Sequence, residues 1–321
     1  MSFVEPFLSP VILFFLLGAL AALARSDLAI PESIAKAMSL YLMAAIGLKG
    51  GVSVAAHGFE AGLIWAALAA LALSFFLPLP AFALLRKVGR LDATNAGAVA
   101  AHYGSVSVVT YVTASEMLRI AGTPPAGYMV AALALMETPA IVTGLLLARR
   151  GMSGAASKRG SDGLWHEVLL NGAVVLLIGS FVIGMIAGPD RFAPVAPVFE
   201  GGFRGILCLF LLDMGLIAVR RLRDARALTL RLAAIAILLP VLNGIVGVAI
   251  GSAIGLDVGS AAALGVLAAS ASYIAVPAAM RLALPAADPG LYLAMSLGIT
   301  FPFNVVIGIP AIAALARMMA A

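Results

Sequence analysis

Charged side chains are scarce in this sequence. Of its 321 residues, 11% are charged and 63% are hydrophobic, whereas a soluble domain has roughly a quarter of its residues charged because its whole surface faces water. Apolar runs of about 20 residues recur from Phe7 to Ala320, and each is long enough to cross roughly 30 Å of hydrocarbon. The sequence therefore predicts an all-α polytopic membrane protein and argues against a water-soluble domain.

Cysteines and enzyme motifs are the next absences. The single cysteine, Cys208, lies in an apolar run, so we expect no disulfide within the chain and no Cys-rich metal cluster. The sequence has no Gly-x-Ser-x-Gly, no His-Glu-x-x-His, no P-loop and no Asp-rich pair of the kind that Mg2+-dependent transferases need. We therefore expect no enzyme activity and no organic cofactor. Without an ATP-binding segment, any transport is expected to be driven by a gradient.

The apolar runs divide into about ten predicted transmembrane spans. Their predicted bounds are 7–24, 31–55, 61–85, 95–114, 126–147, 164–187, 198–219, 227–254, 260–280 and 290–316. The one long polar interruption, 149–163, is rich in Gly, Ser and basic residues and predicts a flexible cytoplasmic linker. It separates a first five-span repeat, 1–148, from a second, inverted five-span repeat, 164–321.

Basic residues predict the orientation of the chain. Loops on one side hold Arg25, 86–90, 149–159, 220–226 and Arg281, while the opposite loops hold little beyond Arg119 and Arg191. Cytoplasmic loops carry such an excess, so we expect the linker in the cytoplasm and both termini outside a cell inner (plasma) membrane. The net charge of +5 has the same explanation. We therefore expect membrane lipids, and no nucleic acid, as partners.

An internal repeat fits the opposite topology of the two halves. Shifting the chain by 168 positions pairs Glu32 with Glu200, Lys36 with Arg204 and Gly47 with Gly215. Each acid lies one helical turn before its base, which predicts two i,i+4 ion pairs near the membrane edges. Inverted repeats of this kind are typical of secondary transporters.

The fourth and ninth spans are broken by polar residues, Gly and Pro. The fourth contains His102-Tyr-Gly-Ser-Val-Ser107 and the ninth contains Ser270-Ala-Ser-Tyr-Ile-Ala-Val-Pro277. A helix broken there exposes backbone N–H groups that lipid cannot satisfy, and the N-terminus of a half-helix attracts an anion. We therefore predict one small-anion site between the two breaks. The alternative is close packing through small residues, with the serines hydrogen-bonded to their own helices.

Three ionisable residues lie inside predicted spans. Glu137, before Pro139, is expected to bind a cation or relay a proton, and Pro139 frees a carbonyl oxygen that suits Na+. Alternatively, Glu137 caps a Pro-kinked helix or forms a salt bridge. Lys49 and Asp213 are interpreted either as an ion pair between the halves or as scaffold residues.

Several segments resemble the sodium-dependent bicarbonate transporter family along nearly the whole chain. They are 28–33 (LAIPES), 47–51 (GLKGG), 136–139 (METP), 203–205 (FRG) and 268–274 (AASASYI). The resemblance implies a homotrimer of ten-span protomers and an elevator-like movement of a core domain against a gate domain. It also implies Na+-coupled bicarbonate uptake and a P-II-like regulatory protein at the cytoplasmic face.

The breaks differ from those of the cyanobacterial members of that family. Tyr273 stands where they have Asp, Ala271 and Tyr103 each replace a Ser, and Glu137 replaces an Asp. The resemblance therefore implies a site that keeps the backbone framework and has fewer side-chain oxygens.

These observations predict a secondary transporter that couples bicarbonate uptake to Na+. Two alternatives stay open: a Na+- or H+-coupled carrier of another small organic anion, and a non-transporting membrane sensor or membrane enzyme. The predicted anion-binding residues are Tyr103, Gly104, Ser105, Val106, Ser107, Ser272 and Tyr273. The predicted Na+ ligands are His102, Met136, Glu137, Ser270 and Thr300.

Overall fold

Helices form all of the regular structure in the part of the chain that the structure describes. This computed structural model describes residues 10–57, 61–150, 172–224 and 228–320, and no strand occurs in these ranges. Numbered in chain order, the helices are α1 Pro10–Leu23, α2 Glu32–His57, α3 Ala61–Phe76, α4 Pro78–Lys87, α5 Ala93–Gly104, α6 Val108–Ile120, α7 Met129–Glu137, α8 Pro139–Arg150, α9 Gly172–Phe192, α10 Phe203–Asp224, α11 Leu230–Ala253, α12 Val258–Ala269, α13 Ala275–Ala283 and α14 Pro289–Ala320. α14 is irregular, because it contains two π-helical segments, Ala294–Thr300 and Asn304–Gly308. A further π-helical segment, Pro197–Gly201, precedes α10.

Seven helical segments of the described ranges are long and apolar enough to cross a membrane. They are Glu32–Ala56, Gly62–Lys87, Met129–Arg149, Val175–Phe192, Pro197–Arg223, Leu230–Ala253 and Pro289–Ala320. Two of them join helices across a proline, since α3 continues into α4 at Pro78 and α7 into α8 at Pro139. The helices α1 and α12 are apolar but shorter. The predicted all-α, multi-pass membrane class is thus confirmed, while the predicted linker lies outside the described residues beyond Arg150.

Glycines let two pairs of helices cross at backbone contact. The helix α1 packs on α10, where a Cβ at Gly18 would lie 2.0 Å from the carbonyl oxygen of Leu212. The helix α2 packs on α9, where a Cβ at Gly51 would lie 1.9 Å from the carbonyl oxygen of Phe181. Small residues permit such close approach between membrane helices. The first described helix of each predicted half therefore packs on the second helix of the other half.

Two interrupted helices, α5–α6 and α12–α13, run antiparallel to each other. The helix α5 begins next to the segment after α13, since the Asn95 side-chain oxygen accepts a hydrogen bond from the Asp288 N–H at 2.8 Å. The helix α12 begins next to the segment after α6, since Ser260 Oγ accepts one from the Ala126 N–H at 3.0 Å. Each interrupted helix therefore starts where the other ends.

Matching N-caps begin these two helices. The Asp92 carboxylate accepts a hydrogen bond from the Asn95 N–H at 2.9 Å, and the Asp257 carboxylate accepts one from the Ser260 N–H at 2.9 Å. Asp is favoured at this position because its oxygens satisfy N–H groups that the first turn leaves free. The helices α5 and α12 have 12 residues each, and their caps lie 165 positions apart. That offset is three residues shorter than the offset of 168 predicted from the sequence.

Candidate anion and cation site at two helix breaks

Two Ser-x-Ser segments interrupt the antiparallel helices. The helix α5 is separated from α6 by residues 105–107, and α12 is separated from α13 by residues 270–274. Ser105 and Ser270 leave their helices in extended conformation, with ψ of 178° and 164°. Under the offset between the caps, 105–107 corresponds to 270–272. Both interruptions lie within the segments that the sequence predicts to be broken.

The two breaks contact each other directly through backbone groups. The Ser272 N–H donates a hydrogen bond to the carbonyl oxygen of His102 at 2.9 Å. The Ser107 N–H donates one to Ser270 Oγ at 3.0 Å. All four residues are buried. Each break thus accepts a hydrogen bond from a backbone N–H of the other break. The two breaks therefore stabilise each other.

The first serine of each segment donates its hydroxyl proton to a backbone carbonyl. Ser105 Oγ donates to the carbonyl oxygen of Glu137 at 3.1 Å. Ser270 Oγ donates to the carbonyl oxygen of Leu267 at 2.8 Å. A hydroxyl has one proton. The Ser105 and Ser270 hydroxyls are therefore committed to the protein in this arrangement.

The second serine of each segment accepts a hydrogen bond from the first turn of the helix that follows. Ser107 Oγ accepts a hydrogen bond from the Thr110 N–H at 3.1 Å, and Ser272 Oγ accepts one from the Val276 N–H at 3.3 Å. Within the described structure, neither hydroxyl donates to a backbone carbonyl. A hydroxyl that accepts a bond keeps its own proton to donate. Ser107 and Ser272 are therefore the two serines whose protons are not donated to a backbone carbonyl, and the Ser107 hydroxyl lies beside that of Tyr273.

A small cavity, which we call the break cavity, lies where the two breaks meet. It is lined by Met43, Val106, Ser107, Val108, Glu137, Ser272, Tyr273, Ile274 and Ala275. It has room for about one water molecule. The N-termini of α6 and α13 both face it, and the first N–H groups of a helix have no partner within that helix. The cavity therefore combines hydroxyl donors, N–H donors and one carboxylate.

Glu137 is the ionisable side chain of the break cavity. Its side chain is buried, and its Oε2 atom has no hydrogen-bond partner within the described structure. It lies at the end of α7, directly before the bend at Thr138 and Pro139. The alternative of a salt bridge for Glu137 does not occur, because neither ion pair in the described residues includes it. Its carboxylate is positioned to contact a cation in the cavity.

Tyr103 and Gly104, both predicted to bind the anion, do not line the break cavity and contact other helices instead. The Tyr103 hydroxyl shares a hydrogen bond of 2.7 Å with Thr300 Oγ1. A Cβ at Gly104 would lie 2.3 Å from Cγ of Pro78, so the absence of a side chain permits α5 to pack on α4. Of the predicted anion-binding residues, the structure places Val106, Ser107, Ser272 and Tyr273 around the break cavity.

The predicted Na+ ligands other than Glu137 also have protein partners. His102 Nδ1 lies 2.7 Å from the carbonyl oxygen of Ala98, one turn earlier in α5. The carbonyl oxygen of Met136 accepts the Ser74 hydroxyl at 2.8 Å. Thr300 Oγ1 donates to the carbonyl oxygen of Ala236 at 2.6 Å, and the Ser270 hydroxyl is committed as described above. No group of three or more His, Cys, Asp or Glu side chains with metal-binding geometry occurs among the described residues.

Two asparagines that sequence reasoning missed close the C-terminal ends of α5 and α12. Asn243 Nδ2, from α11, donates to the carbonyl oxygen of Tyr103 at 3.3 Å. Asn304 Nδ2, from α14, donates to the carbonyl oxygen of Ala269 at 2.8 Å. Helix ends leave carbonyl groups without helical partners, and lipid supplies none. In the sequence, the signal that could have identified Asn243 and Asn304 is a polar amide side chain inside an otherwise apolar run.

Charged residues elsewhere pair differently from the prediction. Arg204 pairs with Glu116 of α6 and not with Glu200, and the described residues contain no ion pair that involves Lys36 or Asp213. Both predicted i,i+4 pairs were wrong. For Arg204 the reason is that a charge near a helix end can reach a neighbouring helix. The predicted alternative of a Lys49–Asp213 ion pair is not formed either. Lys49 instead places its ammonium over the ring of Phe203, 5.0 Å from the ring centroid.

Comparison with known proteins identifies the family. No curated protein matches the chain. The family model of the Na+-dependent bicarbonate transporter superfamily matches residues 10–317, which is nearly the whole chain. The predicted resemblance is thereby confirmed, and this chain belongs to the Na+-dependent bicarbonate transporter superfamily.

Proposed function

We propose that this protein is a secondary active transporter that carries bicarbonate into the cell together with Na+. The observation that carries the proposal is the contact between two antiparallel helix breaks around a cavity that holds both hydroxyl donors and a buried carboxylate. Transporters of several folds place broken helices in corresponding positions around a shared site. The family to which the chain belongs supports the same function.

Bicarbonate fits the donors of the break cavity. The helix N-termini of α6 and α13 and the hydroxyl groups of Ser107 and Ser272 all favour negative charge. No Lys or Arg lines the cavity, so an anion is held by neutral donors and can leave again. The break cavity has room for about one water molecule, so it must widen to admit an anion of this size. The family to which the chain belongs favours bicarbonate over the alternative of another organic anion.

Na+ fits the oxygen atoms at the same place. Glu137 contributes a carboxylate oxygen without a protein partner, and the bends at the breaks and at Pro139 offer carbonyl oxygens. Hard cations prefer such oxygen ligands. A carboxylate next to an anion site also gives coupling a physical basis, because Na+ offsets the repulsion between Glu137 and bicarbonate.

The proposed architecture is ten spans in two inverted halves, with both termini outside the plasma membrane. The antiparallel broken helices and the exchanged packing of α1 on α10 and α9 on α2 support it. We further propose a homotrimer that works by an elevator-like movement. A P-II-like regulatory protein is proposed to bind its cytoplasmic face, as the family resemblance implies.

Uptake of labelled bicarbonate into proteoliposomes tests the proposed function. We expect uptake with an inward Na+ gradient and little uptake when K+ or choline replaces Na+. Labelled acetate and formate, supplied in the same way, test the alternative carrier function. Uptake of either of these anions without uptake of bicarbonate would assign the protein to another substrate.

A further inference from the structure

A second cavity of about 200 Å3, which we call the outer cavity, lies outside the site described so far. It is lined by residues of α2, α6, α7, α10 and the loop before α7. None of the anion or Na+ ligands predicted from the sequence lines it. Since one water occupies about 30 Å3 in the liquid, a small anion fits here with part of its hydration shell.

Two cations, Lys49 and Arg119, and one carboxylate, Glu116, line the outer cavity. Glu116 is 4% exposed, and it pairs with Arg119 at 3.0 Å and with Arg204. Lys49 lines the same cavity and forms no ion pair in the described structure. Its ammonium is held beside the wall by the face of Phe203. The lining therefore has an excess of positive charge. The ammonium group of Lys49 has no carboxylate partner in the described structure.

The outer cavity and the break cavity lie on the same two helices. On α2, Met43 lines the break cavity and Ile46 lines the outer cavity. On α6, Val108 lines the break cavity and Tyr111 lines the outer cavity. Three residues along a helix correspond to a rise of about 4.5 Å. The two cavities are therefore neighbours along one path between α2 and α6, and the outer cavity is the one nearer the loop at Pro124.

We infer that the outer cavity is a separate binding site for a small monovalent oxyanion, with Lys49 as its main contact, from which the anion passes to the breaks. This rests on the proposed function, under which the anion is bicarbonate and the Pro124 loop faces outside. A cleft lined by one sign of charge raises the local concentration of its counter-ion and accelerates binding, and salt weakens the effect. Lys49 binds the anion at the outer site only, and it does not line the break cavity.

Three variants test the role of Lys49 in uptake. Lys49→Gln removes the charge, Lys49→Arg keeps it, and Lys36→Gln removes an exposed charge on the same helix away from both cavities. Initial rates of labelled bicarbonate uptake are measured against concentration at about 50 mM and about 300 mM ionic strength, since screening differs strongly between them. We expect Lys49→Gln to raise the half-saturating bicarbonate concentration by about 3- to 10-fold at low salt, with an unchanged maximal rate. The salt dependence should be smaller in this variant, while Lys49→Arg and Lys36→Gln should behave like the wild type.

A binding measurement separates this inference from the proposed function. Thermal stabilisation of the detergent-solubilised protein by bicarbonate and by formate is compared between the wild type and Lys49→Gln. A smaller stabilisation of Lys49→Gln than of the wild type at the same anion concentration supports the outer site, even if the wild type transports no bicarbonate. Two results overturn the inference: equal stabilisation of both proteins, or a Lys49→Gln variant with a reduced maximal rate at an unchanged half-saturating concentration, which is the pattern of a merely structural lysine.

Discussion

At the breaks, the hydroxyl protons of the serines decide which residues can bind an anion. Ser105 and Ser270 donate to backbone carbonyls, whereas Ser107 and Ser272 accept N–H bonds from the first turns of the helices that follow them. The division is the same in both segments, which correspond under the offset between the N-caps. From the sequence alone, Ser105, Ser107 and Ser272 were equal candidates for the anion site and Ser270 was a candidate Na+ ligand. Only the positions of the Glu137 and Leu267 carbonyls show where the protons of Ser105 and Ser270 go.

The free hydroxyl proton of Ser272 should contribute directly to anion binding. A hydrogen bond to a charged acceptor contributes roughly 1.5–3 kcal/mol, so Ser272→Ala should raise the half-saturating bicarbonate concentration by about 10- to 150-fold. Ser107→Ala should act in the same direction and should also lose the cap of α6, at a cost of about 0.5–2 kcal/mol in stability. The matched control is Ser296→Ala, whose buried hydroxyl bonds the carbonyl of Tyr292 away from the cavity. Uptake close to wild type in both Ser107→Ala and Ser272→Ala would remove this assignment.

Glu137 should determine the response to Na+. Glu137→Gln keeps the shape of the side chain and removes the charge that we propose for cation binding, so the Na+ concentration for half-maximal uptake should rise by about 10-fold or more. Asp213→Asn is the control, because Asp213 is also a buried acid but does not line the break cavity. Uptake rates of both variants are measured against Na+ concentration at saturating bicarbonate. An unchanged Na+ dependence in Glu137→Gln would leave the residue with a structural role only.

At the scale of helices, the sequence predicted which spans are broken but not what the breaks contact. Mid-span Gly, Ser and Pro disfavour a continuous helix whatever surrounds them, so 102–107 and 270–277 were recognisable. The partner of Arg204 could not be recognised from the sequence, because spacing reveals neighbours on one helix only. Its partner, Glu116, lies on α6. The fourth span also continues to Ile120, past its predicted end at 114, because Glu116 and Arg119 neutralise each other in its last turns.

The close crossing of α2 and α9 should not tolerate a side chain at Gly51. A Cβ there would lie 1.9 Å from the carbonyl oxygen of Phe181, so Gly51→Ala must push two backbones apart, at a cost of about 1–3 kcal/mol. Gly179 in α9 is the matched control, because nothing lies within 4 Å of a Cβ at that position. Gly179→Ala should be neutral or stabilising by up to about 1 kcal/mol, since Ala favours a helix more than Gly does. Thermal unfolding in detergent measures both, and equal midpoints would contradict the packing argument.

At the scale of the whole molecule, the contacts between the halves support an inverted repeat more strongly than the sequence did. A composition rich in Ala, Gly and Leu produces chance matches, and the offset of 168 differs from the offset between the caps of α5 and α12. The bond from Asp288 to Asn95 and the bond from Ala126 to Ser260 do not depend on any offset. They place the start of each interrupted helix beside the end of the other, which is the arrangement that two halves of opposite topology require.

The α5–α6 pair should cross the whole membrane despite its break. Val88, before α5, and Ile120, at the end of α6, have exposed side chains, at 48% and 53%. Each is replaced singly by cysteine. In a Cys208→Ala background, we expect an impermeant thiol reagent added to intact cells to label the cysteine at 120 and not the one at 88. Permeabilised cells should label both, which controls for reactivity. The expectation follows from the basic residues Arg86, Lys87 and Arg90 beside position 88, which favour the cytoplasm. Labelling of both positions from the same side of intact cells would mean that α5 and α6 enter and leave on one face, and the ten-span arrangement would then be wrong.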